Sequence, residues 1–252
     1  MKLKKILSAA ATATALAFSS AASAALLTDV MWVIDTSGSM GDDINQVKLN
    51  IAAFDTAMTA NSIDARYGLV RFGGTASLIQ NITTFSDFDR VGGPFRALTA
   101  NGGGTEDGSA AIQVAMGATW RANTIRNIIL VTDEDDDVTT NRPALDTDLA
   151  ASAAAEFINI IGNPNDDGLS YYRNLAPANN GQFFNILDFR NTPETFFANF
   201  IRTKVAEIVD FCTANPTHPD CQGGRVPEPG SLLLLGIGLA GLGATRIRRH
   251  KS

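Results

Sequence analysis

The sequence predicts an α/β fold: a doubly wound, mostly parallel six-stranded sheet with helices on both faces. Three observations lead there. Six short apolar runs alternate with stretches whose apolar residues recur at helical spacing, the order in which helical crossovers feed a parallel sheet. The inner runs are near-continuously hydrophobic, as strands covered on both faces are. The two most polar loops, beginning at Asp35 and Asp133, each leave an apolar run, and a doubly wound sheet places its ligand sites beyond such strand ends.

The first 24 residues, MKLKKILSAAATATALAFSSAASA, stand apart. Lys2, Lys4 and Lys5 lead an apolar, alanine-rich stretch from Ile6 to Phe18, and Ala22-Ser23-Ala24 fits the small-residue cleavage rule. Residues 1–24 are therefore expected to be a signal peptide. A buried amphipathic helix is the alternative. Val30–Ile34 then reads as the first strand, and Ile44, Val47, Ile51, Phe54 and Met58 line one helix face. Strand-like runs follow at Tyr67–Phe72, Leu78–Ile82, Asn127–Thr132, Phe157–Ile161 and Phe183–Leu187. Helical spacing returns in Ile112, Ala115, Met116 and Thr119, and again in Phe197, Ile201, Val205 and Ile208. Residues 28–210 make up this body, which shows no internal repeat.

Residues 211–225 read as a linker in which Cys212 and Cys221 bracket TANPTHPD. In an oxidising compartment a local disulfide lying outside the body is the expectation. Free thiols, or a metal pair with His218, are the alternatives. Residues 226–252 begin with Val226, Pro227, Glu228 and Pro229, continue in an apolar run from Leu232 to Ala244, and end on Arg246, Arg248, Arg249 and Lys251. The run is short for a bilayer span, which takes about 20 residues. The basic end keeps that terminus cytoplasmic. This three-part order resembles the PEP-CTERM sorting signal of Gram-negative bacteria, and order of parts is what identifies such signals. The resemblance implies processing by an exosortase-type membrane protease, with the apolar segment held in the inner membrane beforehand. A plain C-terminal anchor is the alternative.

With 252 residues and 45% hydrophobic content, the chain can bury one good core, and assigning both ends to addressing leaves one domain. Setting aside the three leader lysines and the four basic residues of the tail takes the formal charge from −6 to −13. A body this acidic repels nucleic acid and anionic lipid and suits cations. Between residues 25 and 211 there is neither histidine nor cysteine. That absence rules out a Ser-His-Asp triad, a cysteine nucleophile and a His-ligated zinc within the body.

In VMWVIDTSGSMGDD an apolar run meets Asp35, with Ser37 and Ser39 at alternate positions before a glycine turn. GGGTEDG places Thr105 ahead of a helical pattern, and ILVTDEDDD places Asp133 after another apolar run. Mg²⁺ takes about six oxygens in octahedral directions, and alternate hydroxyls of a tight loop can point at one ion with a carboxylate close behind. Taken singly, Ser37 and Ser39 read equally as caps of a helix starting near Asp42, and Thr105 as the cap of one starting at Glu106. Gly102 to Gly104 lack the Gly-Lys-Ser/Thr continuation of a phosphate loop. Glu134 to Asp137 read as a hydrated acidic loop or as a second cation site, though without the alternating ligands and glycine of an EF-hand.

Taken together, these elements over residues 28–210 resemble the von Willebrand factor A domain, a Rossmann-like fold, with its metal-ion-dependent adhesion site. The resemblance implies that Ser37, Ser39 and Thr105 hold Mg²⁺, or Mn²⁺ or Ca²⁺, while Asp35 and Asp133 act mainly through water. A coordination position is then left for a carboxylate of a protein or extracellular-matrix partner. The family usually follows its last aspartate with glycine; here Glu134 follows, which puts the role of Asp133 in question. The expected function is a non-enzymatic, exported adhesion module at the cell surface or in the extracellular matrix of a Gram-negative bacterium. One alternative is a structural matrix component with a stabilising metal. A metal-dependent phosphotransfer or hydrolytic enzyme built on Asp35 is less favoured, because Ser37 stands where its acid/base carboxylate would be.

Overall fold

The computed structural model describes residues 25–165 and 170–222; the expected signal peptide and sorting segment lie outside the described residues. Strand β1 spans Leu26–Asp35. Successive side chains of a strand point to opposite faces, so Val30, Trp32 and Ile34 enter one hydrophobic cluster and Met31 and Val33 another. That two-sided burial is the reason the run is unbroken. β1 lies between β2 (Ile63–Phe72) and β4 (Ile125–Val131), parallel to both. β5 (Glu156–Gly162) and β6 (Phe183–Asn185) extend the parallel array, and β3 (Ser77–Thr83) adds an antiparallel edge beside β2. The strand order is β3-β2-β1-β4-β5-β6.

Helix α1 (Gly41–Ala60) and helix α8 (Pro193–Ala214) cover one face. Ile44, Val47, Ile51, Phe54 and Met58, the apolar stripe of α1, are all buried. Trp32 packs between Phe54 and Phe200, with ring centroids 5.8 and 6.3 Å away. The opposite face is covered by α4 (Gly108–Met116), α5 (Arg142–Ala151) and α6 (Ser170–Ala178), through Ile112, Leu145, Leu149, Tyr172 and Leu175. Two single-turn helices, α2 (Phe85–Phe88) and α3 (Pro94–Ala97), bury Phe88 and Phe95 as a stacked pair 4.4 Å apart. The last strand is shorter than its apolar run, because the Asn185 side chain accepts a hydrogen bond from the Leu187 N–H and starts α7 (Ile186–Asn191).

Cys212 and Cys221 are joined, with an S–S distance of 2.02 Å. Contrary to the expectation from the sequence, the link does not lie outside the body. Both cysteines are buried against the first hydrophobic cluster. The turn Pro219–Cys221 folds back on the sheet, where Asp220 accepts a 2.7 Å hydrogen bond from the N–H of Ala155, the residue preceding β5.

Candidate metal centre

The chain leaves β1 toward α1 on one face and leaves β4 toward α5 on the other. The gap between these diverging connections is the switch point of the sheet. Asp35, the last residue of β1, is fully buried there. Its Oδ1 accepts the Ser37 N–H at 2.7 Å and its Oδ2 accepts the Thr132 hydroxyl at 3.0 Å. Ser37 opens the turn Gly38–Met40, and neither that turn nor α1 has a side-chain cap. The serines are thus not helix caps. Their hydroxyl oxygens lie 3.2 Å apart, and Ser39 Oγ donates to Asp133 Oδ1 at 3.0 Å. Four of the five expected residues therefore meet.

Among the described residues, no hydrogen bond joins the Thr105 hydroxyl to these four. Thr105 is exposed, and its carbonyl accepts the Gly74 N–H at 2.6 Å. Nor does it cap a helix: α4 starts at Gly108, and Asp107 is its cap, accepting from the Ala110 N–H at 2.9 Å. The side chain that enters the cluster is that of its neighbour, Glu106, only 3% exposed. One carboxylate oxygen each from Asp35, Glu106 and Asp133 lie within 4.8 Å of one another. Glu106 Oε2 is buried with no hydrogen-bond partner.

The main chain here is fixed by loop-to-loop bonds. Gly102 N–H donates to the Thr36 carbonyl and Gly103 N–H to the Gly73 carbonyl, both at 2.7 Å. A Cβ on Gly102 would sit 2.6 Å from the Gly73 carbonyl oxygen and from Thr36 Oγ1, while Gly73 itself has a φ of +98°. The glycines are required by close packing of three loops. Glu106 N–H donates to Asp137 Oδ2 at 2.8 Å, and Asp137 N–H returns a 2.7 Å bond to the Glu106 carbonyl.

Most of the acidic run is committed to such bonds. Buried Asp136 accepts from the Ser109 N–H and hydroxyl (2.9 and 2.6 Å), from Arg142 Nε (2.7 Å) and from the Tyr172 hydroxyl. Asp135 pairs with Arg142 at 3.6 Å. Glu134 does not adopt a positive φ; among the described non-glycine residues only Ser62, Asn123 and Asn180 do. The glycine usual in the family is not needed here. From α7, Arg190 Nη2 reaches Asp133 Oδ2 at 2.8 Å and Asp43 Oδ2 at 2.6 Å.

Burial raises the pKa of Asp35, and nearby Asp133 adds to the rise; the Ser37 N–H and the Thr132 hydroxyl oppose it. Burial, then the charges of Asp35 and Glu134, pushes Glu106 up to about 8. Three buried carboxylates would repel one another if all were ionised, and a cation would relieve that repulsion and let Glu106 give up its proton. The donors fit a hard divalent cation such as Mg²⁺ or Ca²⁺: all are oxygens, three carboxylates converge, and one oxygen of Glu106 lacks a hydrogen-bond partner. The sequence reading did not single out Glu106, Thr132 or Arg190. Glu106 directly follows the expected threonine, which was a usable signal; Arg190 is 57 residues from Asp133 in sequence and offered none.

The fold and this cluster define a class: a doubly wound domain with a buried group of three carboxylates at its switch point. The chain belongs to the von Willebrand factor type A domain family, whose model matches residues 29–198. The PEP-CTERM protein-sorting motif matches residues 225–249, which indicates an exported protein sorted by way of the membrane. Among solved structures, the von Willebrand factor type A protein from Catenulispora acidiphila is 19% identical with a TM-score of 0.51, covering 73% of this chain and 43% of that one. BatB from Bacteroides thetaiotaomicron is 14% identical at 0.51, covering 74% and 99%. Proximal thread matrix protein 1 from the mussel byssus is 11% identical at 0.51, covering 73% and 48%. At these identities the likeness is one of fold, and this chain spans less than half the length of the first and third. A search of curated proteins returns no match.

Proposed function

We propose that this protein is an exported adhesion module that grips a carboxylate of a protein or extracellular-matrix partner through a divalent ion beyond the end of β1. The observation that carries the reading is the convergence of Asp35, Ser37, Ser39 and Asp133 at the switch point of a von Willebrand factor type A domain. Ser37 and Ser39 would hold Mg²⁺, Mn²⁺ or Ca²⁺ by their hydroxyls, and Asp35 and Asp133 directly or through water; Thr105 belongs to the rim. The ion would supply the positive potential that draws in an acidic group. The chain's own residues do the positioning: the Ser37 N–H and Thr132 fix Asp35, and Arg190 and Ser39 fix Asp133.

The acidic surroundings make the ion indispensable on this reading. Asp35, Glu106 and Asp133 converge there, with Glu134 close by and, among the described residues, Arg190 the one cation paired with them, shared between Asp133 and Asp43, so an acidic partner meets repulsion until a metal cation is present. No covalent step is called for, since Ser37 stands where a nucleophilic Asp35 would need its acid/base carboxylate. The tail supplies the address: an exosortase-type protease acts at Val226 to Pro229, the apolar segment anchors the chain in the inner membrane beforehand, and the mature protein resides at the cell surface or in the matrix. The burial of three carboxylates favours a second reading, a matrix component whose ion only stiffens the fold.

Melting curves test the ion, and a capture assay separates the two readings. Metal at 100 times its dissociation constant stabilises a native state by about 2.7 kcal/mol. That corresponds to an upward shift of roughly 5–10 °C for a domain of this size. The Ser37→Ala, Ser39→Ala double variant should fold, lose most of the shift, and no longer bind carboxylate-coated beads in Mg²⁺, Mn²⁺ or Ca²⁺. Native curves that overlay the chelated control with all three ions would falsify the reading. A full metal shift with no capture would favour the purely structural role.

A further inference from the structure

We propose that Glu106 is an acidic ligand supplied in cis, occupying at the ion the place that a partner's carboxylate would take, so that a partner binds by displacing it. The inference rests on the adhesion reading above and adds a residue and a regulation to the same site. Glu106 stands one position past the threonine expected to serve the ion, and it differs from that threonine in charge. Its carboxylate is buried, converges with Asp35 and Asp133 to within 4.8 Å, and leaves Oε2 without a hydrogen-bond partner. A buried carboxylate oxygen with no donor is costly unless something outside the chain's hydrogen bonds satisfies it. The same pocket holds the carboxylates of Asp35 and Asp133 and the linked hydroxyls of Ser37 and Ser39, and a cation held among them would satisfy the Glu106 carboxylate as well.

The consequence follows from charge. Two carboxylates and neutral hydroxyls balance a divalent ion and leave coordination positions for a further acid. A third carboxylate makes the donor set more negative than the ion is positive, so the ion no longer lacks an anionic ligand. An incoming acid must then replace Glu106. The main chain of Glu106 is clasped on both sides by Asp137, at 2.8 and 2.7 Å, and the preceding glycines are bonded to Thr36 and Gly73. Displacement is therefore a swing of one side chain with the loop left in place.

The experiment uses the mature chain bearing Glu106→Gln, with metal affinity measured by calorimetry for Mg²⁺, Mn²⁺ and Ca²⁺, and with capture on carboxylate-coated against amide-capped beads at saturating metal. The expected result is a loss of metal affinity of tenfold or more together with a several-fold rise in metal-dependent capture. Loss of a merely structural contact would lower both. Glu106→Asp, which keeps the charge and withdraws the carboxylate by one methylene, should move both readouts in the same directions and serves if the glutamine variant does not fold. Unchanged metal affinity, with the Ser37→Ala, Ser39→Ala variant still abolishing metal binding, overturns this proposal and leaves the adhesion reading intact. Weakened metal binding without a rise in capture overturns the competition. Absence of metal binding by the native chain overturns both.

Discussion

Lys204 carries a full charge into the core. It is 1% exposed, with Nζ 2.7 and 2.6 Å from the two oxygens of Glu207, in contact with Asn159 Oδ1, and 4.7 Å from the centroid of the Phe184 ring. Burial lowers its pKa from 10.5 to about 8, against the pull of Glu207. With the folded-state value below the unfolded one, the unfolded chain holds the proton more tightly between about pH 8 and 10.5. The native state therefore gains from this group as pH rises through that window, and loses the gain as pH falls through about 8. Replacing the pair by Lys204→Met, Glu207→Gln removes the effect. Chemical denaturation should then show the wild type gaining on the variant from pH 8 to 10 by up to about 1.4 kcal/mol per unit. An unchanging difference would mean that Lys204 keeps its proton throughout. Single residues were legible in the sequence where their partners were close along it. Asp35, Ser37 and Ser39 fall within five positions, so their alternation was visible. Thr132 and Arg190 act on carboxylates 97 and 57 residues away, and nothing local marks them. Glu106 carries no mark of its own in the sequence, because the cap pattern and the ligand pattern both end at Thr105.

At the scale of elements, the strands that bury both faces were the easiest to read. β1, β4 and β5 have no solvent side, so their apolar runs are continuous. Edge elements were harder. β3 is half-buried and turns back from β2 through Gly73 and Gly74, both at positive φ, and an apolar run carries no mark of strand direction. α2 and α3 are one turn each, too short for a 3.6-residue period to register. The end of α8 yields the element-level prediction. The disulfide closes a short loop, but it also ties α8 to a turn bonded to Ala155 and buries both cysteines. Chain-entropy arithmetic for a loop of about 10 residues gives roughly 2–3 kcal/mol. The Cys212→Ser, Cys221→Ser variant should lose about that much in guanidinium unfolding, with its metal-induced shift retained. A midpoint equal to the wild type's would mean that the 3-10 turn holds without the link.

At the scale of the whole molecule, the sheet has two poles with different tasks. The carboxylates and hydroxyls sit beyond the carboxyl ends of β1 and β4, whereas the turn Pro219–Cys221 is bonded to Ala155 at the amino end of β5. In a parallel array these are opposite ends. The described chain stops at Gln222, and the sorting motif begins three residues later, at 225. Gln222, the last described residue, follows that turn directly and so lies at the end of the sheet opposite the carboxylates. Because the tail's attachment point is pinned by the disulfide and Asp220, removal of the tail should not be felt at the site. Deleting residues from Ser231 onward is expected to leave the melting midpoint within about 1 °C, as for surface changes remote from the core, and to leave the metal-induced shift unaltered. The same deletion should move the protein out of the membrane and matrix fractions and into the soluble exported fraction. Cell fractionation with identical distributions for the two forms would remove the sorting role, and a lowered midpoint would show that the body depends on its tail.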